Sequence, residues 1–402
     1  MHIFYGWWMV AACMVIALIG NALGLFGAGV YLHAVVTTNG WTTGLVSSAI
    51  TIFYVVSALL LIPVGSGIKH FGPRPVIAIG GISLALGVVG IGQATSLWEV
   101  YLFFFCMGIG WAGLSTTAVA TTLAPWFDKH QGRATSTASL GASIGGMTGP
   151  PILLFGIAEI GFPSTTIVAG LFAAVVLLSL VSPVLRHRPQ DMGLLPDGAP
   201  TDRSKTTAIA PNWTYMTALC TPTLRTVVAA FGVGMMVQIG FLTHQVTMLA
   251  LSVSPLAISM TVSATALAAL LGRLALARFA DRIDARATTA GVLLLAAGSL
   301  GAMGLFPDPS VLVITSIVFG FTVGNVTTLS PIIVRREFGA AAFGTVFGIA
   351  SCCIQLAAAL GPSLFGLLYD RFSSYGPALL IAAILDVLAA SIIAIGSRKA
   401  AS

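Results

Sequence analysis

Lys69-His70-Phe71-Gly72-Pro73-Arg74 is a short polar break between two long apolar stretches, and 212 residues later Asp281-Arg282-Ile283-Asp284-Ala285-Arg286 stands in the same setting. The offset holds elsewhere. Gly108 matches Gly320, Gly132 matches Gly344, and the dipeptide Gly149-Pro150 matches Gly361-Pro362. With 45 glycines any single coincidence is cheap, but one offset holding across three separate pairs of apolar runs marks a duplicated half.

Working outward from the two breaks, the chain resolves into apolar runs of about 20 residues, the length a helix needs to cross a bilayer. Twelve are counted, near 7–33, 45–64, 76–95, 100–124, 134–158, 164–184, 226–250, 255–277, 288–305, 311–334, 342–368 and 376–397. The composition agrees: 57% of residues are apolar, 7% are charged and the mean hydropathy is +1.00, where soluble chains carry about 25% charged residues. The longest polar stretch, 186–225, is rich in Pro, Asp, Thr and Arg and reads as a linker. It separates residues 1–185 from 226–402, six runs on each side. The expected fold is therefore all-α and polytopic, with twelve transmembrane helices in two six-helix bundles. They are related by an axis along the membrane normal and hold substrate between them near the midplane.

The net charge of +6 is a matter of topology. Placing the N-terminus inside puts sixteen of the eighteen Lys and Arg residues on one side of the membrane, with Arg371 on the other and Arg273 within a run. The positive-inside rule then assigns both termini to the cytoplasm, and the basic excess indicates no nucleic-acid partner. The first run exceeds the length of a signal-peptide core and lacks a basic flank, so it is read as a true span. Cys13, Cys106, Cys220, Cys352 and Cys353 have no metal-ligand spacing and suggest no disulfide framework. No P-loop, HExxH or Ser-His-Asp pattern is present, so neither an enzyme nor an ATP-driven pump is expected, and no cofactor or metal.

Arg273 is the residue that costs most. It lies inside the run from Ser254 to Ala277, among Ala, Leu, Ile and Gly, and a guanidinium at a helix centre costs roughly 2.5–3.5 kcal/mol even on insertion scales. Standing eight residues before Asp281, it is expected about 12 Å in from the cytoplasmic helix end. A cation at that depth normally faces a water-filled cavity and an anionic partner.

Gly65 through Arg74 resembles the cytoplasmic loop signature of the major facilitator superfamily, with Lys69 where an acid is usual and Asp281-Arg282 kept in the second copy. Trp126 through Ala134, leading into a Gly/Ala/Ser-rich helix, is similar to the loop before the fifth helix of monocarboxylate transporters. Arg188 through Gly198 resembles the start of the linker in their bacterial relatives, the oxalate–formate antiporter group included, and Gly348 through Tyr369-Asp370 resembles their eleventh helix. The resemblance implies alternating access, a substrate-binding role for Arg273, and a cytoplasmic lock between the halves drawn from Asp281, Arg282, Lys69, Arg74, Lys129 and Arg133. It also implies that helices one, four, seven, eight, ten and eleven line the cavity, which nominates Asn21, Ser115, Gln238, Asn325, Cys353 and Gln355 as further contacts.

The oxalate-carrying relatives pair that arginine with a lysine in the eleventh helix. Here the four lysines, Lys69, Lys129, Lys205 and Lys399, all lie in loops or the tail. One intramembrane cation suits a monoanion, so the expected substrate is a small monocarboxylate such as lactate or pyruvate. The aspartate that human-type transporters place one turn before the arginine is Ala269, leaving Asp386 and Glu159 as proton-coupling candidates. The expected protein is a monomeric, multi-pass carrier of the bacterial inner membrane, symporting a small carboxylate with a proton. Organic-anion antiport and efflux of larger amphipathic compounds are the alternatives. His244 and His33 fall in the outer half, where packing or gating is the simpler role.

Overall fold

A computed structural model describes residues 4–128, 130–181, 184–186, 188–198, 215–279 and 283–400. Among the described residues twelve helices are long and apolar enough to cross a membrane: α1 (Gly6–Asn39), α2 (Thr43–Phe71), α3 (Pro73–Gln93), α4 (Leu97–Leu123), α5 (Gln131–Ile160), α6 (Phe162–Val181), α7 (Pro222–Ala250), α8 (Pro255–Leu276), α9 (Ala285–Leu305), α10 (Pro309–Gly339), α11 (Val346–Phe372) and α12 (Gly376–Gly396). A helix keeps every backbone hydrogen bond within its own segment, which is what hydrocarbon demands. Outward faces carry Leu86, Phe155, Phe172, Leu294 and Ile384, each more than half exposed, as surfaces wetted by lipid do.

The chain forms two compact units, one of residues 1–39 and 55–206, the other of residues 40–54 and 207–402. Within the first, α1 packs on α5, and α3 on α4 and α6; within the second, α7 packs on α11, and α9 on α12, with α8 against α10. The repeat reappears in these seams. Gly149 of α5 sits where a Cβ would lie 2.7–2.8 Å from Ala22 of α1, and its counterpart Gly361 of α11 abuts Met236 and Gly240 of α7. In lipid no hydrophobic force draws helices together, so close backbone approach at small residues supplies the packing.

Several boundaries differ from the sequence reading. The first helix runs to Asn39 rather than ending at 33, and within the added turns Thr37 donates its hydroxyl back to the carbonyls of His33 (2.8 Å) and Ala34 (3.0 Å). The polar break at 69–74 is nearly all helix: α2 continues to Phe71 and the chain turns on Gly72 alone, at φ 83°. In the second copy Asp284 makes that turn instead, its carboxylate accepting from the amides of Arg286 (2.8 Å) and Ala287 (3.1 Å) to cap α9. The fourth run is not continuous, since a helix over Leu97–Gly113 stops at Leu114 and Ser115 caps a second over Thr116–Leu123. A π-turn over Asn21–Leu25 interrupts α1.

Arg286, buried at 4% exposure, staples together the start of α7, the start of α9 and the last turns of α10 and α12. Its guanidinium grips Glu337 bidentately (Nε–Oε1 2.5 Å, Nη2–Oε2 2.9 Å) and donates to Thr226 Oγ1, Thr223 O and Ile393 O at 3.2–3.3 Å, joining α9, α10, α7 and α12. Arg74, its repeat counterpart, donates from Nε to Leu185 O at 2.7 Å.

Candidate functional site

In the second unit α8 turns Leu267, Leu271 and Leu274 outward, while Ala266, Ala269 and Gly272 are buried. Arg273 is half-buried between these two faces, on the same side as Ala269 one turn earlier. The helix continues to Phe279, so the residue stands six positions from its end, about 9 Å along the axis. Two glycines bring α8 and α10 into backbone contact there. A Cβ on Gly324 would run into the carbonyl of Ala269 and approach Arg273 N to 3.2 Å, and one on Gly272 would collide with the Phe321 carbonyl and approach Asn325 Nδ2 to 3.1 Å.

Asn325 is thereby fixed beside the backbone that carries Arg273. It is 3% exposed, its Nδ2 donates to Phe321 O at 3.0 Å, and its Oδ1 is buried with no hydrogen-bond partner. Nearer the α7 C-terminus, Gln245 Nε2 donates to Thr265 Oγ1 (2.9 Å), and Thr265 in turn reaches Thr261 O and Ser316 O. This ladder ties α7, α8 and α10 together. Gln238 is buried on α7 two turns before Gln245, and Cys353 and Gln355 are half-buried on α11.

In the first unit Gly20 of α1 sits where a Cβ would meet Leu114 Cβ at 3.0 Å, which sets Asn21 beside the break in α4 that begins with Ser115. Both candidates are buried, and both spend polar atoms on the backbone: Asn21 Nδ2 donates to Ala17 O (2.8 Å) and Ser115 Oγ accepts from Ala118 N (3.3 Å). Helices interrupted by a π-turn or a mid-span cap free backbone groups at depth, a feature of functional sites in membranes.

The two acids separate. Glu159 is exposed near the end of α5. Asp386 is 1% exposed on α12, which packs on α7 and α9, with Oδ1 unpartnered and near Gly234. It therefore belongs to a different helix layer from the α8–α10 seam. Of the lock residues, Lys69 is exposed at the end of α2, and Arg133 is exposed with its guanidinium 5.4 Å above the Trp7 ring; Lys129, Asp281 and Arg282 lie outside the described residues. The stretch after Arg188 folds back on the loop before α5, Asp197 accepting from Asp128 N (3.0 Å) and donating its amide to Trp126 O (3.0 Å).

Sequence reasoning passed over two constellations. One is the Arg286–Glu337 pair, although the offset that matches Arg286 to Arg74 was a pointer to it. The other surrounds His244, itself 1% exposed: Nδ1 is 3.1 Å from Tyr375 Oη, and Nε2 is 3.1 Å from Ser47 Oγ and 3.0 Å from Pro362 O. Nearby, Thr51 and Ser363 hydroxyls meet at 2.7 Å and Asp370 accepts from Gly44 N at 2.9 Å. Nothing local in the sequence joins residues so far apart. Among the described residues, no three His, Cys, Asp or Glu side chains gather as metal ligands would.

Twelve apolar helices among the described residues, with polar side chains set at depth and helices broken there, define a multi-pass membrane protein. Residues 14–249 and 226–400 both match the family model of the Major Facilitator Superfamily, and the chain belongs to that superfamily of transporters. It is 27% identical to monocarboxylate transporter 13 of Rattus norvegicus over 332 residues, 80% of this chain and 72% of the relative, and 26% identical to the Bos taurus protein over the same length, 73% of it. Among solved structures it resembles a bacterial homologue of the human lysosomal transporter Spinster in an inward-facing, unoccupied conformation. The TM-score is 0.76 at 15% identity, covering 98% of this chain and 97% of that one, a likeness of fold.

Proposed function

We propose that the chain is a proton-coupled secondary carrier of small monocarboxylates, lactate- or pyruvate-like, working by alternating access of the bundles 1–185 and 226–402 about the linker 186–225. The observation that carries this reading is Arg273, a guanidinium held half-buried in α8 where two glycines lock the helix to α10. A planar fork of donors in a low-dielectric setting binds one carboxylate bidentately. The four lysines all lie at span ends or outside the spans, which favours one negative charge on the substrate over two. The names of the mammalian relatives point the same way.

Asn325, Gln238, Cys353 and Gln355 in the second unit, with Asn21 and Ser115 in the first, are proposed to contact substrate. Asp386 is the better proton-coupling candidate, being buried where Glu159 is exposed. Asp281, Arg282, Lys69, Arg74, Lys129 and Arg133 are assigned to the cytoplasmic lock. The carrier is assigned to the bacterial inner membrane as a monomer, and its termini are assigned to the cytoplasm on the strength of the sixteen basic residues on one side.

Proteoliposomes containing the purified protein test the reading. Labelled lactate is expected to accumulate under an inside-alkaline pH gradient with no acid loaded inside. Uptake that needs a preloaded organic anion and ignores the gradient would replace symport by antiport. Saturable carriage of neutral or cationic compounds without carriage of any carboxylate would overturn the reading altogether.

A further inference from the structure

Asn325 presents a buried acceptor that the protein leaves unpaired. The direction of its amide is not arbitrary. The group facing Phe321 O must be the NH2, because two carbonyl oxygens at 3.0 Å would repel. Oδ1 is therefore the other edge, and it finds no partner although the side chain is 3% exposed. Leaving such an acceptor unpaired opposes folding, and a donor brought to it relieves that cost. The residue also stands at the closest approach of the two helices: a Cβ on Gly272 would lie 3.1 Å from Nδ2, and one on the neighbouring Gly324 would lie 3.2 Å from Arg273 N.

Resting on the assignment of Arg273 to the substrate carboxylate, we infer that Asn325 selects for acids bearing a hydrogen-bond donor next to the carboxylate, 2-hydroxy acids in preference to 2-keto acids. A carboxylate in the guanidinium fork keeps its 2-substituent close to the α8–α10 seam. A hydroxyl there donates to Asn325 Oδ1 and removes the penalty. A keto oxygen of the same size offers only lone pairs to an acceptor that is already electron-rich. A site with a polar group waiting for a substrate donor discriminates strongly against the analogue that lacks it, because the group is then left unpaired.

Lactate and pyruvate differ in this feature with nearly the same shape, and their half-saturation concentrations in proteoliposomes form the test. Wild type is expected to favour lactate by about tenfold. Asn325→Ala and Asn325→Leu are expected to bring the two acids to within about twofold by weakening lactate far more than pyruvate, with folding read independently from the thermal unfolding midpoint of each variant in detergent. Asn325→Asp adds a negative charge beside the substrate and is expected to weaken both acids. Equal handling of the two acids by wild type, or a preference that survives both Asn325→Ala and Asn325→Leu, overturns the inference while carriage of carboxylates stands. Absence of any Arg273-dependent carboxylate uptake removes the underlying assignment and this inference with it.

Discussion

The hydroxyl of Ser47 donates to Thr43 O at 2.6 Å, so toward the His244 ring its oxygen is only an acceptor. Nε2 also faces the carbonyl of Pro362 at 3.0 Å, another acceptor. Both contacts require the proton on Nε2, which leaves Nδ1 of the neutral ring as the acceptor of the Tyr375 hydroxyl. Tyr375 suits that role: burial, and then the neighbouring Tyr369 and Asp370, push its pKa above the ordinary phenol value, so it remains a donor across working pH. Removing the hydroxyl strands Nδ1 in a dry setting, and Tyr375→Phe is expected to destabilise the protein by about 1–2 kcal/mol. The readout is the thermal unfolding midpoint in detergent; a midpoint equal to wild type would show that this hydrogen bond is dispensable. His244 was legible as a residue of the outer half, but its partners lie 131, 197 and 118 residues away. Pairings of that kind come from tertiary packing and leave no local pattern.

At the scale of helices, glycines in spans separate into those that hold a seam and those that do not. Gly324 sits against the Ala269 carbonyl and Arg273 N, whereas Gly291 and Gly298 on α9 have no atom within 4 Å of the position a Cβ would take. Gly324→Ala therefore forces α8 from α10, and a loss of several kcal/mol is expected, within the range of overpacked cores. Gly291→Ala is expected to be neutral or to stabilise by about 0.5–1 kcal/mol through helix propensity. Unfolding midpoints of the two variants side by side decide the point, and a mild effect at Gly324 would show that the seam is loose. The sequence carried the helices and their repeat because both are written in composition and spacing. It did not carry the breaks in α1 and α4, since Ile19-Gly20-Asn21-Ala22 and Gly113-Leu114-Ser115-Thr116 sit in runs apolar enough to read as continuous. Ser115 can cap only because the chain has left helical geometry at Leu114, and Gly20 packs at that spot.

For the molecule as a whole, the superfamily fold was readable from twelve spans, one offset and a one-sided distribution of charge. The candidate site was readable in part. Arg273 declared itself by its cost in hydrocarbon, and the structure puts Asn325 beside it on the facing helix. The sequence placed Asp386 at depth but could not show that α12 keeps it against α7 and α9, because helix neighbours are set by packing rather than by depth. The proposed carriage of carboxylates rests on the chemistry at α8. The decisive measurement is uptake of labelled lactate by proteoliposomes of wild type, Arg273→Lys and Arg273→Ala, with folding verified by gel filtration. Loss of a buried charge-assisted pair is worth about 2–5 kcal/mol. Arg273→Ala should accordingly lower transport efficiency by about a hundredfold, and Arg273→Lys, which keeps the charge and loses the fork, should fall between. Lactate uptake by Arg273→Ala at the wild-type level would contradict the account.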